Sequence, residues 1–243
     1  MEYIQLGNFQ RRGKEVNMID PLRHLSVFSP DAFGARRVDI VGCGATGSRV
    51  ALALAKLGVA NLHVWDFDTI ESHNIANQLF ELGDVGAKKV VALARLIKAQ
   101  TGAAVTAHDA RVTGAEELGE VVFLLTDTMS SRKTIWDAGL KYKVRTRLLV
   151  ETRMGIDEGR VYALDPNKPK HIRAWEGAWY PDQNAEVSAC GASVTVGPTA
   201  DVLTGLAAWQ FVRWFAVERG KEEELDNEIL FTLRPPAFAC RRF

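Results

Sequence analysis

The residues best placed to do chemistry stand early in the chain, in Gly42-Cys43-Gly44-Ala45-Thr46-Gly47. The run directly follows a short β-branched stretch and opens one of helical composition. Glycine at positions 42 and 44 permits a tight turn and lets phosphate oxygens approach the backbone. Beyond Ala45, Thr46 and Gly47 the helix N-terminus offers unpaired N–H groups and a partial positive charge that suit an anion. Asp66 ends the next strand-like run, where a carboxylate can accept hydrogen bonds from a ribose. The plainer reading is a glycine-rich strand-to-helix turn with no ligand, and the ordered strand, motif, helix, strand and acid weigh against it. The loop by itself does not separate ATP from NAD or FAD.

The segment after Asp66 bears on that choice. It reads D-F-D-T-I-E-S-H-N-I-A-N-Q over 66–78 and V-G-A-K-K-V over 85–90, and Leu125-Thr126-Asp127-Thr128 follows a later strand. In these motifs the chain resembles the ThiF/MoeB family of ubiquitin-activating-enzyme-like adenylyltransferases, over roughly residues 36–217 and most strongly at 38–89. The resemblance implies ATP and Mg²⁺ as cofactors. It also implies roles: Asp66 on the ribose, Asn74 and Gln78 near the triphosphate, Lys89 neutralising phosphate charge, and Asp127 helping to hold Mg²⁺. Each has a simpler alternative. Asp68 could contact the nucleotide or only terminate a strand, Lys88 and Lys89 could be solvated, and Asn74 and Gln78 could only stabilise a loop. Asp127 could cap the helix that follows.

The chain also departs from the family pattern. Asn77 stands where the family usually has arginine, and Asn offers a hydrogen bond but no charge. Arg49 or Arg132 could replace the missing cation. Many relatives carry two C-x-x-C pairs for zinc; three isolated cysteines, Cys43, Cys190 and Cys240, cannot make that site, so no zinc is expected. Cys190, in S-A-C-G-A-S, lies where some relatives have a cysteine used in thiol chemistry, and it could serve catalytically or pack as a small apolar residue. Cys43 should pack within the glycine turn and Cys240 should sit in a mobile tail. Arg23, in the N-terminal arm, is expected to be a surface residue.

These groups require a scaffold of alternating strands and helices. Strands are expected at 37–41, 62–65, 105–108, 121–125 and 148–151, with helices at 50–57, 85–100 and 130–140 between them. Helix-length crossovers imply an α/β, Rossmann-like, mostly parallel sheet with helices on both faces. After Arg153 the pattern becomes a short antiparallel extension, with strands at 160–164 and 171–175 joined by the turn Asp165-Pro166-Asn167. A long apolar helix at 198–217 and a strand at 229–233 complete it. Residues 1–35 are expected to be an N-terminal arm and 36–243 a single nucleotide-binding domain. The tryptophans Trp175, Trp179, Trp209 and Trp214 should be core or interface residues.

With 30 basic and 30 acidic side chains, no excess of charge points to a nucleic acid or a membrane surface as partner. No apolar run approaches the length of a membrane span, no secretion signal is visible at the start, and scattered cysteines suit a reducing compartment, so a cytoplasmic protein is expected. The resemblance implies a ubiquitin-like or sulfur-carrier protein as acceptor and a homodimer. Two other readings stay open: an ATP-binding scaffold that has lost catalysis, and an NAD(P)-dependent oxidoreductase, which leaves 74–78 and Lys89 without a purpose.

Overall fold

In the computed structural model, which describes residues 19–184, 195–222 and 224–243, the β-branched runs assemble into one eight-stranded sheet. The strands are β1 (Arg37–Val41), β2 (Asn61–Trp65), β3 (Val105–His108), β4 (Val121–Leu124), β5 (Leu148–Met154), β6 (Glu158–Leu164), β7 (Glu228–Leu233) and β8 (Pro236–Arg241). In space they run β3-β2-β1-β4-β5-β6-β7-β8. Strands β1 to β5 are parallel, and β6, β7 and β8 join antiparallel. The strand order reverses at β1, between β2 and β4. The carboxyl ends of the strands there form the crevice in which open α/β sheets bind ligands.

Both sheet faces are covered, which is why the central strands read as nearly unbroken apolar runs. On one face lie α1 (Pro30–Phe33), α2 (Ala45–Leu57), α3 (Lys89–Thr101) and α6 (Gly197–Glu218). On the other lie α4 (Met129–Ile135), a wider π turn at Trp136–Leu140 and α5 (Pro169–Gly177). Alternation along β1 shows the division: Val38 and Ile40 enter the first core, while Val41 enters the second. Phe28 and Phe33 bring the end of the arm into the first core, with the Phe28 ring 5.3 Å from both Phe211 and Phe215. Burying each of these side chains contributes on the order of 2 kcal/mol.

Two expectations fail. Residues 171–175 are not a strand but part of α5. Pro169 occupies the first turn, where its missing N–H costs nothing, and the buried Ile172 and Trp175 stand three residues apart on one helical face. The tail is not loose either. It forms β8, paired with β7 from Leu233↔Pro236 to Glu228↔Arg241. Pro235 and Pro236 disguise it, although a proline is tolerated as the first residue of an edge strand. The helix expected from residue 85 begins at Lys89, after a short 3₁₀ turn at Leu82–Asp84.

Candidate functional site

The glycine loop crosses from β1 to α2 at the carboxyl edge of the sheet. Gly42 has φ 96°, and a Cβ there would stand 2.6 Å from the Leu125 carbonyl oxygen. A Cβ at Gly47 would stand 1.9 Å from the Gly42 carbonyl oxygen. The fold itself demands these two glycines. Gly44 differs: nothing lies within 4 Å of where its Cβ would be. It is also the N-cap of α2, with no side chain bonding the first turn. The amides of Ala45, Thr46 and Gly47, at the start of α2, have no intrahelical partner, which leaves the donors an anion site requires.

Asp66 locks the loop. Its buried carboxylate accepts from the Cys43 N–H at 2.7 Å and from the Asp68 N–H at 2.9 Å. Each oxygen keeps lone-pair capacity for a further donor. Cys43 is fully buried, as expected for a residue packed in the turn. Burial, then the nearby Asp66 charge, push its thiol well above the usual range. It stays protonated and is no nucleophile.

The segment after β2 folds back beside the loop. Lys89 is buried and its Nζ lies 2.8 Å from Asp68 Oδ2. The Lys89 N–H also donates to the Asp68 carbonyl, and Thr69 bridges Lys88. Asp68 therefore does more than end a strand: it holds the lysine. Lys88 is bound elsewhere, to the Phe67 carbonyl and Asp109. Asn74 is committed to local structure, its Oδ1 accepting from the Glu71 N–H at 2.9 Å. Asn77 Oδ1 and Gln78 Oε1 are buried acceptors without a donor among the described residues. Such atoms cost about 1–3 kcal/mol each unless something satisfies them.

Beyond β4, Asp127 is exposed and its carboxylate has no hydrogen bond or ion pair among the described residues. It does not cap α4. Thr128 does, accepting from the Ser131 N–H. Arg132 is committed elsewhere, with its guanidinium on the Thr126 carbonyl and on Glu151. Sequence reasoning missed the cluster behind it. Glu151, with no exposed surface, meets Arg132, Arg153 and the Trp175 indole N–H. Burial opposes its ionisation, but the two guanidiniums outweigh it and hold the carboxyl below the usual range. The only signal was an acid closing the apolar run Leu148–Val150. Cys190 lies outside the described residues. Arg23 is exposed, as expected. Among the tryptophans, Trp175 and Trp214 are buried, Trp179 is partly buried, and Trp209 is half exposed.

The opening over Gly44 suits a phosphate group, and the Asn77 and Gln78 oxygens, unpaired among the described residues, suit a donor such as a hydroxyl or amino group. Among the described residues no set of three or more His, Cys, Asp or Glu could hold a metal ion. A cation here would take one carboxylate, Asp127, and complete its shell with phosphate and water oxygens, the usual manner of Mg²⁺. No described helix is long and apolar enough to cross a membrane.

Fold and loop together define a Rossmann-type α/β protein with an open glycine position, Gly44, at its switch point. The ThiF family model matches residues 27–237, and the chain belongs to that family. It is similar to the sulfur carrier protein ThiS adenylyltransferase of Escherichia coli (strain K12), 29% identical over 188 residues covering 73% of this chain and 71% of that protein. A shorter stretch is 40% identical, over 83 residues, to the Nedd8-activating enzyme E1 catalytic subunit of Drosophila melanogaster, covering 33% of this chain and 18% of that protein. Among solved structures, E. coli MccB with ATP matches with a TM-score of 0.65 at 18% identity, over 88% of this chain and 65% of that one. At that identity the likeness speaks for the fold alone. This chain thus spans only a small part of the Nedd8-activating subunit and just under two thirds of MccB.

Proposed function

We propose that the chain is an ATP-dependent adenylyltransferase that joins a carboxylate to AMP and releases pyrophosphate. The supporting observation is the gathering, at one edge of the sheet, of an open Gly44, the buried Asp66, the Lys89–Asp68 pair and an Asp127 with no partner among the described residues. Membership of the ThiF family and similarity to a ThiS adenylyltransferase favour ATP over a dinucleotide. The acceptor is the C-terminus of a ubiquitin-like or sulfur-carrier protein, in line with what the relatives' names say of them. The protein acts in the cytoplasm as a homodimer.

The chemistry suits these side chains. An ionised carboxylate attacks the α-phosphorus in line and pyrophosphate leaves, so no general base is needed at neutral pH. Two anions must meet, and catalysis rests on positioning and on cations where charge develops. The α2 amides cradle phosphate, Asp66 holds the ribose, and Lys89, steadied by Asp68, faces the phosphates. Asn77 and Gln78 turn their side-chain amides to the nucleotide. Mg²⁺, when bound through Asp127, neutralises phosphate oxygens and orients the leaving group.

Calorimetric titration with ATP and Mg²⁺, and separately with NAD and NADP, tests this. The expected result is binding of ATP alone. Lys89→Ala and Asp127→Ala should each weaken Mg·ATP about tenfold or more, equal to roughly 1.4 kcal/mol. Pyrophosphate exchange dependent on a small protein ending in Gly-Gly would then separate catalysis from an ATP-binding scaffold. NAD binding without ATP binding would sink the proposal.

A further inference from the structure

The site lacks an arginine at position 77, and the fold supplies another guanidinium at the same turn. Arg49 stands on the second turn of α2 with its side chain directed back along the helix. Its Nη1 donates to the Ala45 carbonyl at 2.9 Å and to the Asn77 carbonyl at 2.6 Å. Its Nε donates to Asp201 Oδ1 at 2.6 Å. The guanidinium therefore touches the first residue of the helix that opens the glycine loop, and the residue whose side-chain oxygen is buried and unpaired. The two Nη2 protons have no acceptor among the described residues. A Cβ at Gly197, the first residue of α6, would lie 3.9 Å from that Nη2. The side chain of Arg49 is only 15% exposed, while that of Asp201 is 65% exposed.

We propose that Arg49 is a nucleotide-binding residue that exchanges Asp201 for the β- and γ-phosphate oxygens of ATP. This rests on the adenylyltransferase reading of the site. The other cations near the loop are each paired as well. Lys89 is matched by Asp68, Lys88 by Asp109, and Arg132 by Glu151. Among the described residues Arg49 pairs with one carboxylate, Asp201, which lies mostly in water and stays solvated when the guanidinium leaves it. With Asp201 displaced, the Nε–H and one Nη2–H give the fork geometry that phosphate oxygens accept in pairs. Asp201 acts as a resting partner that keeps the guanidinium at the Asn77 turn until a polyphosphate arrives.

A plain clamp, tying α2 to the Asn77 turn and to α6, is the competing account, and affinities for ATP and for AMP separate the two. AMP lacks the phosphates that Arg49 would grip, so Arg49→Gln should weaken ATP at least tenfold and change AMP less than about twofold. Arg49→Lys should fall between, because it keeps charge but loses the fork. Asp201→Asn, at an exposed position, should bind ATP as tightly as the wild type or a few-fold more tightly. Equal weakening of ATP and AMP in Arg49→Gln, or weaker ATP binding in Asp201→Asn, overturns the assignment and leaves the clamp. If Arg49→Gln does not fold, the Arg49→Lys and Asp201→Asn pair decides by the same comparison. A wild type that binds AMP and ATP, with Arg49 variants unchanged for both, rejects the assignment while keeping the nucleotide site. A wild type that binds neither rejects both.

Discussion

At the scale of single residues, the buried Glu151 has the largest consequence. Two guanidiniums and an indole N–H converge on one carboxylate. Removing its charge leaves Arg132 and Arg153 buried and facing each other, a situation that costs about 3–5 kcal/mol. Glu151→Gln should therefore lower stability by that order in chemical denaturation. Because Arg132 also holds the Thr126 carbonyl, the variant should loosen the turn that carries Asp127 and weaken Mg·ATP binding without touching the nucleotide. The pH sign follows from the direction of the shift. A carboxyl held below its usual value adds stability that is fully present above the unfolded value, about 4.3. It is lost as pH falls through the folded value. In Glu151→Gln the slope of stability with pH in that acid range should flatten; an unchanged slope would mean that other carboxylates carry it.

At the scale of elements, the site and the antiparallel extension lie apart. Strand β8 is the outer edge of the sheet, separated from β1 by β4, β5, β6 and β7. Ending the chain after Leu233 removes the ladder on β7 and uncovers Phe231, whose ring is 6.1 Å from that of Phe238. A loss of a few kcal/mol lowers the melting temperature by roughly 5–10 °C in a protein of this size. ATP affinity should stay within about twofold of the full chain, and a large loss would place β8 in the nucleotide machinery. The same contrast explains what was legible in the sequence. The parallel half is legible because β1 and β4 are mostly apolar and almost wholly buried, and the helices after β1 and β2 are closed by glycine at Gly58 and Gly102. The extension is harder to read. In α5 only Ile172 and Trp175 are buried, too few to reveal a helical period. Every residue of β8 is exposed, so no burial pattern marks it. In the site, spacing made Asp66 a candidate, and the family resemblance made Lys89 and Asp127 candidates. Neither could reveal that Asp68 is committed to Lys89, that Arg132 faces Glu151, or that Arg49 meets Asn77, because those pairings are made by the fold.

At the scale of the whole molecule, the formal charge is zero, with 30 basic and 30 acidic side chains. Near neutral pH no net repulsion works against the compact state, so titration of particular groups, not overall charge, sets the pH dependence of stability. The histidines give the clearest case. His63 on β2 and His108 on β3 share a hydrogen bond of 2.9 Å, and the His108 ring stacks on Trp65 at 3.6 Å. Burial, then the Arg37 guanidinium, lower both below the usual histidine value, with the Asp39 carboxylate opposing. His171 is lowered too, again first by burial. A base whose folded value is depressed favours its neutral form in the fold. The unfolded chain then binds more protons below about pH 6.5, so stability falls as pH drops through that region. The loss levels off below the folded values. The melting temperature of the wild type should therefore decline between pH 7 and pH 5, well above the range in which Glu151 acts. In the double variant His63→Gln, His108→Gln most of that decline should disappear, leaving the part due to His171. A decline of the same size in the double variant would assign it to His171 or to groups outside the sheet edge.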